Sequence, residues 1–121
     1  MNVAGAGFPR TRRLLQSTEF EYVFADPCKA GEACLTVLSR PNDLAYPRLG
    51  LIVSKRSAKK AVVRNRIKRH AREAFRHLQN RLGGVDLIVI SRARLADRSR
   101  SALAGLLSKY LIDAAGRCRK S

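Results

Sequence analysis

The residues best equipped for chemistry lie between Lys55 and Arg76, where the chain reads KRSAKKAVVRNRIKRHAREAFR and ten of the 22 residues are lysine or arginine. The densest part is the run Arg64-Asn65-Arg66-Ile67-Lys68-Arg69. Guanidinium groups bind phosphate oxygens in pairs, and an asparagine amide both donates and accepts, so this run suits a folded polyanion better than a bond-breaking step. The only two histidines are His70 within this stretch and His77 directly after it. Seven residues apart on a helix, their backbones stand roughly 10 Å from one another, too far to bracket a single phosphate. Neither has a serine or cysteine nucleophile nearby in sequence. Glu19 and Glu21 point different ways on any helix, the other acids are scattered, and there is no glycine-rich phosphate loop. No catalytic residue is assigned. Cys28, Cys34 and Cys118 show neither CxxC nor Cys/His ligand spacing, so no metal site or disulfide framework is assigned either, and three free thiols are expected.

The basic run needs a rigid support, and helical periodicity supplies one. At 100° per residue Val63, Ile67, Ala71, Ala74 and Leu78 fall within about 40° of one line, with Phe75 and Leu82 at its edge. Asn65, Arg69, Arg72 and Arg76 occupy the opposite line, flanked by Arg66 and Lys68, with Arg64 nearer the core boundary. A solvated charged face would mix signs, yet Glu73 is the only acid in this helix. Guanidinium groups that repel one another along one stripe call for a polyanion beside them.

The whole molecule carries the same bias. Its 25 basic and nine acidic residues give a formal charge of +16, a field that draws nucleic acid of almost any sequence. A length of 121 residues with 45% hydrophobic content fits one folded domain that needs no staples. No apolar run approaches the ~18 residues of a membrane span, and the N-terminus lacks the pattern of a secretory signal. A soluble cytoplasmic protein is expected.

The remaining elements follow from pattern. Residues 1–16, with Gly5, Gly7, Pro9, Arg10, Arg12 and Arg13, read as an extended basic arm. Thr18 and Glu21 form a capping-box pair opening a short helix that presents Phe20, Val23 and Phe24 and stops before Pro27. Cys34 to Ser39 reads as a strand, and Leu49, Leu51 and Val53 mark one face of the next, with Gly50, Ile52 and Ser54 on the other; the two are expected to pair antiparallel. Ser57 is the expected N-cap of the basic helix, and Gly83-Gly84 its stop. Val85 to Ser91, VDLIVIS, is apolar enough for a strand buried on both faces. Asp97 is the expected cap of a last helix carrying Leu103, Leu106, Leu107, Tyr110, Leu111 and Ala114. The order helix, strands, basic helix, strand, helix gives a single α+β domain over 17–116, a two-layer sandwich, followed by a frayed tail at 117–121.

At this point an ordered set of motifs resembles the protein component of bacterial ribonuclease P over nearly the whole chain. The diagnostic run is RNRIKR at 64–69. Around it stand Phe8-Pro9-Arg10 with Arg13-Leu14, Glu19-Phe20, Val23-Phe24, Arg48-Leu49-Gly50-Leu51, Val53-Ser54-Lys55-Arg56, and Arg72-Glu73-Ala74-Phe75-Arg76. The resemblance implies a fold similar to a domain of a small-subunit ribosomal protein, with a left-handed βαβ crossover carrying the basic helix. It implies that a catalytic RNA, using Mg2+, removes the 5′ leader of precursor tRNA while the protein binds that RNA and the leader and holds no cofactor itself. The implied RNA-binding residues are Arg64, Asn65, Arg66, Lys68, Arg69 and Arg72 with Lys55, Arg56 and Lys60. The implied leader cleft comprises Phe20, Phe24, Thr36 and Ser54, with the aromatic rings stacking on unpaired bases. Thr36 stands where some relatives place a tyrosine and Ile52 where some place a serine, so those contacts differ here.

The competing reading is a ribosomal or RNA-chaperone protein, which shares the charge and fold class but has no need of a two-phenylalanine cleft. A DNA-binding helix-turn-helix is disfavoured because the basic helix lies between strands without a short helix and turn before it, and no DNA partner is expected. A self-sufficient nuclease would need converging acids or histidines that the sequence does not announce.

Overall fold

The computed structural model describes residues 10–119. Its elements are α1 (Ser17–Ala25), β1 (Cys28–Glu32), β2 (Leu35–Pro41), β3 (Arg48–Ile52), α2 (Ala61–Leu82), β4 (Val85–Ser91) and α3 (Arg100–Arg119), with short 3-10 turns at Arg10–Arg12 and Leu95–Asp97. The α+β class and the helix–strands–helix–strand–helix order are as the sequence led us to expect. The four strands form one sheet in the order β1-β2-β4-β3, antiparallel between β1, β2 and β4 and parallel between β4 and β3. The expected pairing of β2 with β3 is therefore wrong. The apolar run of β4 is the strand best suited to burial on both faces, and it takes the position between them.

Register makes the two faces unequal. On one face, Cys28, Ser39, Leu87 and Leu49 lie in one row and Ala30, Val37, Val89 and Leu51 in the next. Helices α2 and α3 cover this face through Ile67, Ala71, Phe75 and Leu78 and through Leu103, Leu107, Leu111 and Ala114, so the main core is helix on sheet. These are the positions that the helical periodicity marked as inward. On the opposite face Leu38 and Ile88 form a smaller core with Leu14 and Val23, against which Phe20, Ile52 and Ile90 pack half-buried. Helix α1 supplies Phe20 and Val23 to that face and leaves part of the sheet uncovered.

The helix ends depart from expectation by a few residues. At α1 the capping box joins Gln16 and Glu19 rather than Thr18 and Glu21. The Glu19 carboxylate accepts from the Leu15 and Gln16 amides at 2.7 and 2.9 Å and also meets Arg48, contacts that Glu21 does not make. Ser57 does not cap α2. Its amide and hydroxyl close a turn onto Ser54, and the N-cap is Lys60, without a side-chain cap. Gly83 ends α2 at φ 78°, and a Cβ on Gly84 would stand 2.0 Å from the Leu44 carbonyl oxygen, so both glycines are demanded by geometry. Asp97 lies in a 3-10 turn, while Ser99 caps α3 by accepting from the Ala102 amide at 3.2 Å.

Both expected chain ends also change. The first nine residues of the expected arm lie outside the described residues. The rest is not extended: Arg10–Arg12 form a 3-10 turn, Arg13 bridges to Leu49, and Leu14 is buried. At the other end α3 runs on through Arg119, so 117–119 are helical rather than frayed. Cys28 and Cys118 are not free thiols but a disulfide, with Cα atoms 5.5 Å apart after 90 residues of sequence. Strand β1, whose CKAGE sequence has no apolar alternation to announce it, brings Cys28 beneath the end of α3, which is why spacing gave no sign of the pair. Cys34 remains a buried free thiol. Among the described residues no helix is long and apolar enough to cross a membrane.

Candidate nucleic-acid interface

The inward stripe of α2 fixes where its outward stripe points. Asn65, Arg69 and Arg72 are exposed, and Arg64, Arg66, Lys68 and Arg76 are half-buried. The cations then divide by what their tips do. Arg64 turns back along the helix entrance, donating through Nη1 to the Ala58 and Lys59 carbonyls at 2.9 and 2.8 Å. Arg66 donates through Nη2 to the Ala96 carbonyl at 2.8 Å and so fastens the turn after β4 to α2; its Nε is buried without a hydrogen-bond partner. Arg76 and His77 both meet Glu73, whose carboxyl is held below its usual range chiefly by the Arg76 hydrogen bond. Glu73 thus offsets charge toward the C-terminal half of the stripe. The positive surface open to a polyanion is concentrated around Lys68, Arg69 and Arg72. His70 is pushed toward the neutral form, first by burial and then by Arg69 and Arg66.

Beside that stripe is a depression walled by Lys68 and Arg72 of α2, by Phe20 of α1, and by Arg13 and Leu15, with Leu49, Gly50 and Leu51 of β3 beneath. It joins three of the residues named from sequence: Phe20, Lys68 and Arg72. Gly50 makes the join possible. A Cβ there would stand 2.7 Å from Phe20 Cζ and 3.2 Å from Leu14 Cβ, so only a bare backbone lets the ring lie on the sheet. Gly50→Ala should displace the Phe20 ring and lower stability by about 1–2 kcal/mol, read as a lower denaturation midpoint. An unchanged midpoint would show that the ring gives way freely.

The two phenylalanines are not equivalent. Phe20 packs against the Leu14, Val23, Leu38 and Ile88 cluster, whereas Phe24 is 46% exposed. Thr36 and Ser54 are apart from the Phe20 depression. Thr36 is buried and accepts from Arg92 Nε at 3.3 Å, and exposed Ser54 borders a second depression with Arg56, Ser57 and Arg92. Lys55, Arg56 and Lys60 are all exposed around the entrance to α2. Sequence reasoning did not single out Arg92, which borders the Ser54 depression, and gave Arg13, which borders the Phe20 depression, only as part of a pattern. The signal for Arg92 was available, since it directly follows the apolar β4 run, where the buried strand ends. Among the described residues no three histidine, cysteine or acidic side chains group so as to hold a metal ion.

Comparison with known proteins identifies the family. The Ribonuclease P family model matches residues 8–115. The ribonuclease P protein component of Methylococcus capsulatus is 45% identical over 117 residues, covering 97% of this chain and 91% of that protein. The component from Serratia proteamaculans is 45% identical over 102 residues, covering 84% and 86%. Among solved structures, the RNase P protein of Staphylococcus aureus superposes with a TM-score of 0.79 at 28% identity, covering 85% of this chain and 94% of that one. With the match spanning nearly every described element, from the turn ahead of α1 to the last turns of α3, the chain belongs to the ribonuclease P protein family.

Proposed function

We propose that the chain is the protein subunit of a ribonuclease P ribonucleoprotein, binding the catalytic RNA through α2 and holding the 5′ leader of precursor tRNA against α1 and the sheet. One observation carries this reading: the cations of α2 and the ring of Phe20 wall the same depression. A strand entering it meets phosphate ligands on one side and an aromatic surface on the other, the combination that binds single strands with little demand on sequence. Arg69, Arg72, Lys68 and Asn65 are the principal contacts to structured RNA, with Lys55, Arg56 and Lys60 extending the positive surface past the helix entrance. Phe24, Thr36 and Ser54 continue the leader path.

Hydrolysis belongs in this scheme to the RNA, with Mg2+ bound there rather than by the protein. The side chains of this chain support that division. His70 and His77 lie two turns apart on α2, His77 engages Glu73, and Asp86 is buried against Arg48. What the protein supplies is positive field and orientation, which reduce repulsion between two RNAs and hold the leader in place.

The test is cleavage of precursor tRNA by the RNA subunit alone, the protein alone and both together. At low magnesium the combination should exceed the RNA alone by an order of magnitude or more, and at high magnesium the advantage should shrink as the metal ions screen the same phosphates. His70→Ala and His77→Ala should leave the reconstituted rate within about threefold, since neither transfers a proton. Correct 5′ maturation by RNA-free protein, abolished by either substitution, would overturn the assignment.

A further inference from the structure

We propose that Cys28 and Cys118 form a reversible redox clasp, which fastens the last turns of α3 to edge strand β1 and sets the stability of the fold without touching its RNA-binding face. Both cysteines line a surface depression with Tyr22, Asp26 and Arg40, in which Cys28 is half-buried and Cys118, at the end of α3, is buried. A small thiol reaches the disulfide from that side. The two ends of the bond therefore differ in access, as a bond opened by exchange requires.

The surroundings suit both redox states. Ser39 Oγ donates to the Ala114 carbonyl at 2.7 Å, and Cys118 Sγ lies 3.2 Å from both the hydroxyl and the carbonyl oxygen of Ser39. A Cys118 thiol released by reduction can donate to that carbonyl, so opening the clasp strands no buried polar group. Arg117 donates to the Lys29 carbonyl at 3.0 Å and keeps the same turns against β1 in either state. What changes is the constraint on the unfolded chain, which the bond ties across 90 residues. The bond joins the end of α3 to β1, whereas the outward cations stand on α2, so those cations keep their places.

Opening proceeds by exchange with a dithiol. Its first thiolate attacks Cys28 Sγ, the Sγ–Sγ bond breaks, and Cys118 leaves and takes up a proton. The second thiolate then displaces Cys28 from the mixed disulfide. The dithiol departs oxidised, and both cysteines are left as thiols. Closure is the reverse, with a small disulfide such as oxidised glutathione as the oxidant. Cys34 takes no part: it is buried, points to Glu32 Oε2 at 3.6 Å, and its thiol is held above the usual range chiefly by burial.

The experiment uses the full chain equilibrated with oxidised glutathione or with dithiothreitol, then alkylated under denaturing conditions and weighed intact. The oxidised sample should carry label on Cys34 alone, and the reduced sample on all three cysteines. The melting midpoint should be higher in the oxidised form by on the order of 10 °C. Affinity for a single-stranded RNA oligonucleotide should agree between the forms within about twofold, because no phosphate contact is lost. Cys118→Ser should remove the midpoint shift and Cys34→Ser should keep it. Full labelling after oxidation, equal midpoints, or a bond that dithiothreitol opens only after unfolding would each overturn the proposal.

Discussion

Replacing Asp86 by alanine should lower stability by about 3 kcal/mol and the melting midpoint by roughly 10–15 °C. Asp86 is fully buried in β4 and accepts from Arg48 Nε and Nη2 at 2.8 and 2.7 Å and from Asn42 Nδ2 at 2.9 Å. The bidentate bond is the main reason the Arg48 guanidinium holds its proton more tightly than usual. Without the carboxylate, Arg48 keeps only Glu19 at 3.1 Å and the water that reaches a side chain 22% exposed, and Asn42 Nδ2 keeps only the Tyr46 carbonyl at 3.2 Å. The loss is large because a charge is stranded, not because the pair itself is strong. It also spreads, since Glu19 anchors the start of α1 and Arg48 begins β3. The Arg98–Glu32 pair, with side chains 43% and 34% exposed, is the contrast: Arg98→Ala should move stability by less than about 1 kcal/mol. Thermal melts of the two variants side by side decide the point, and equal shifts would sink the account of Asp86 as the centre of a buried network.

That network also shows where sequence reading stops. Helix α2 was legible because Ile67, Ala71, Ala74 and Leu78 repeat at helical spacing over many turns, and β4 because VDLIVIS has few alternatives to a buried strand. Strand β1 was not legible, since CKAGE becomes a strand only through its pairing with β2. The order of the strands is likewise a tertiary fact: nothing in β2 or β3 announces that β4 comes between them. The site divides in the same way. Charge and periodicity marked the stripe on α2 and set Arg64 nearer the core boundary, but that the carbonyls of Ala58, Lys59 and Ala96 hold the tips of Arg64 and Arg66 is a tertiary fact. Phe20 and Phe24 also share one helical face, and only Gly50 shows which ring lies on the sheet.

The same distinctions shape the largest effect expected on binding. With about six phosphates neutralised, affinity for single-stranded RNA should fall roughly 250-fold between 50 and 200 mM salt, a log–log slope near −4. A filter-binding slope close to zero would remove electrostatics as the main term. Arg69→Ala should reduce the slope by roughly one unit and leave the melting curve alone, because the side chain is exposed. Arg66→Ala should weaken binding and stability together, losing about 1 kcal/mol of folding free energy with its bond to Ala96. Aromatic contacts should behave differently from both. Phe24→Ala should keep the salt slope, since no charge is removed, and reduce the preference for precursor over mature tRNA by about 1–3 kcal/mol, the worth of one stacked base. Phe20→Ala should lower the melting midpoint as well, because its ring also packs on the small core. If Phe24→Ala loses affinity equally for precursor and mature tRNA while its melting curve is native, then the exposed ring does not touch the leader, and the leader path must run along the Phe20 depression alone.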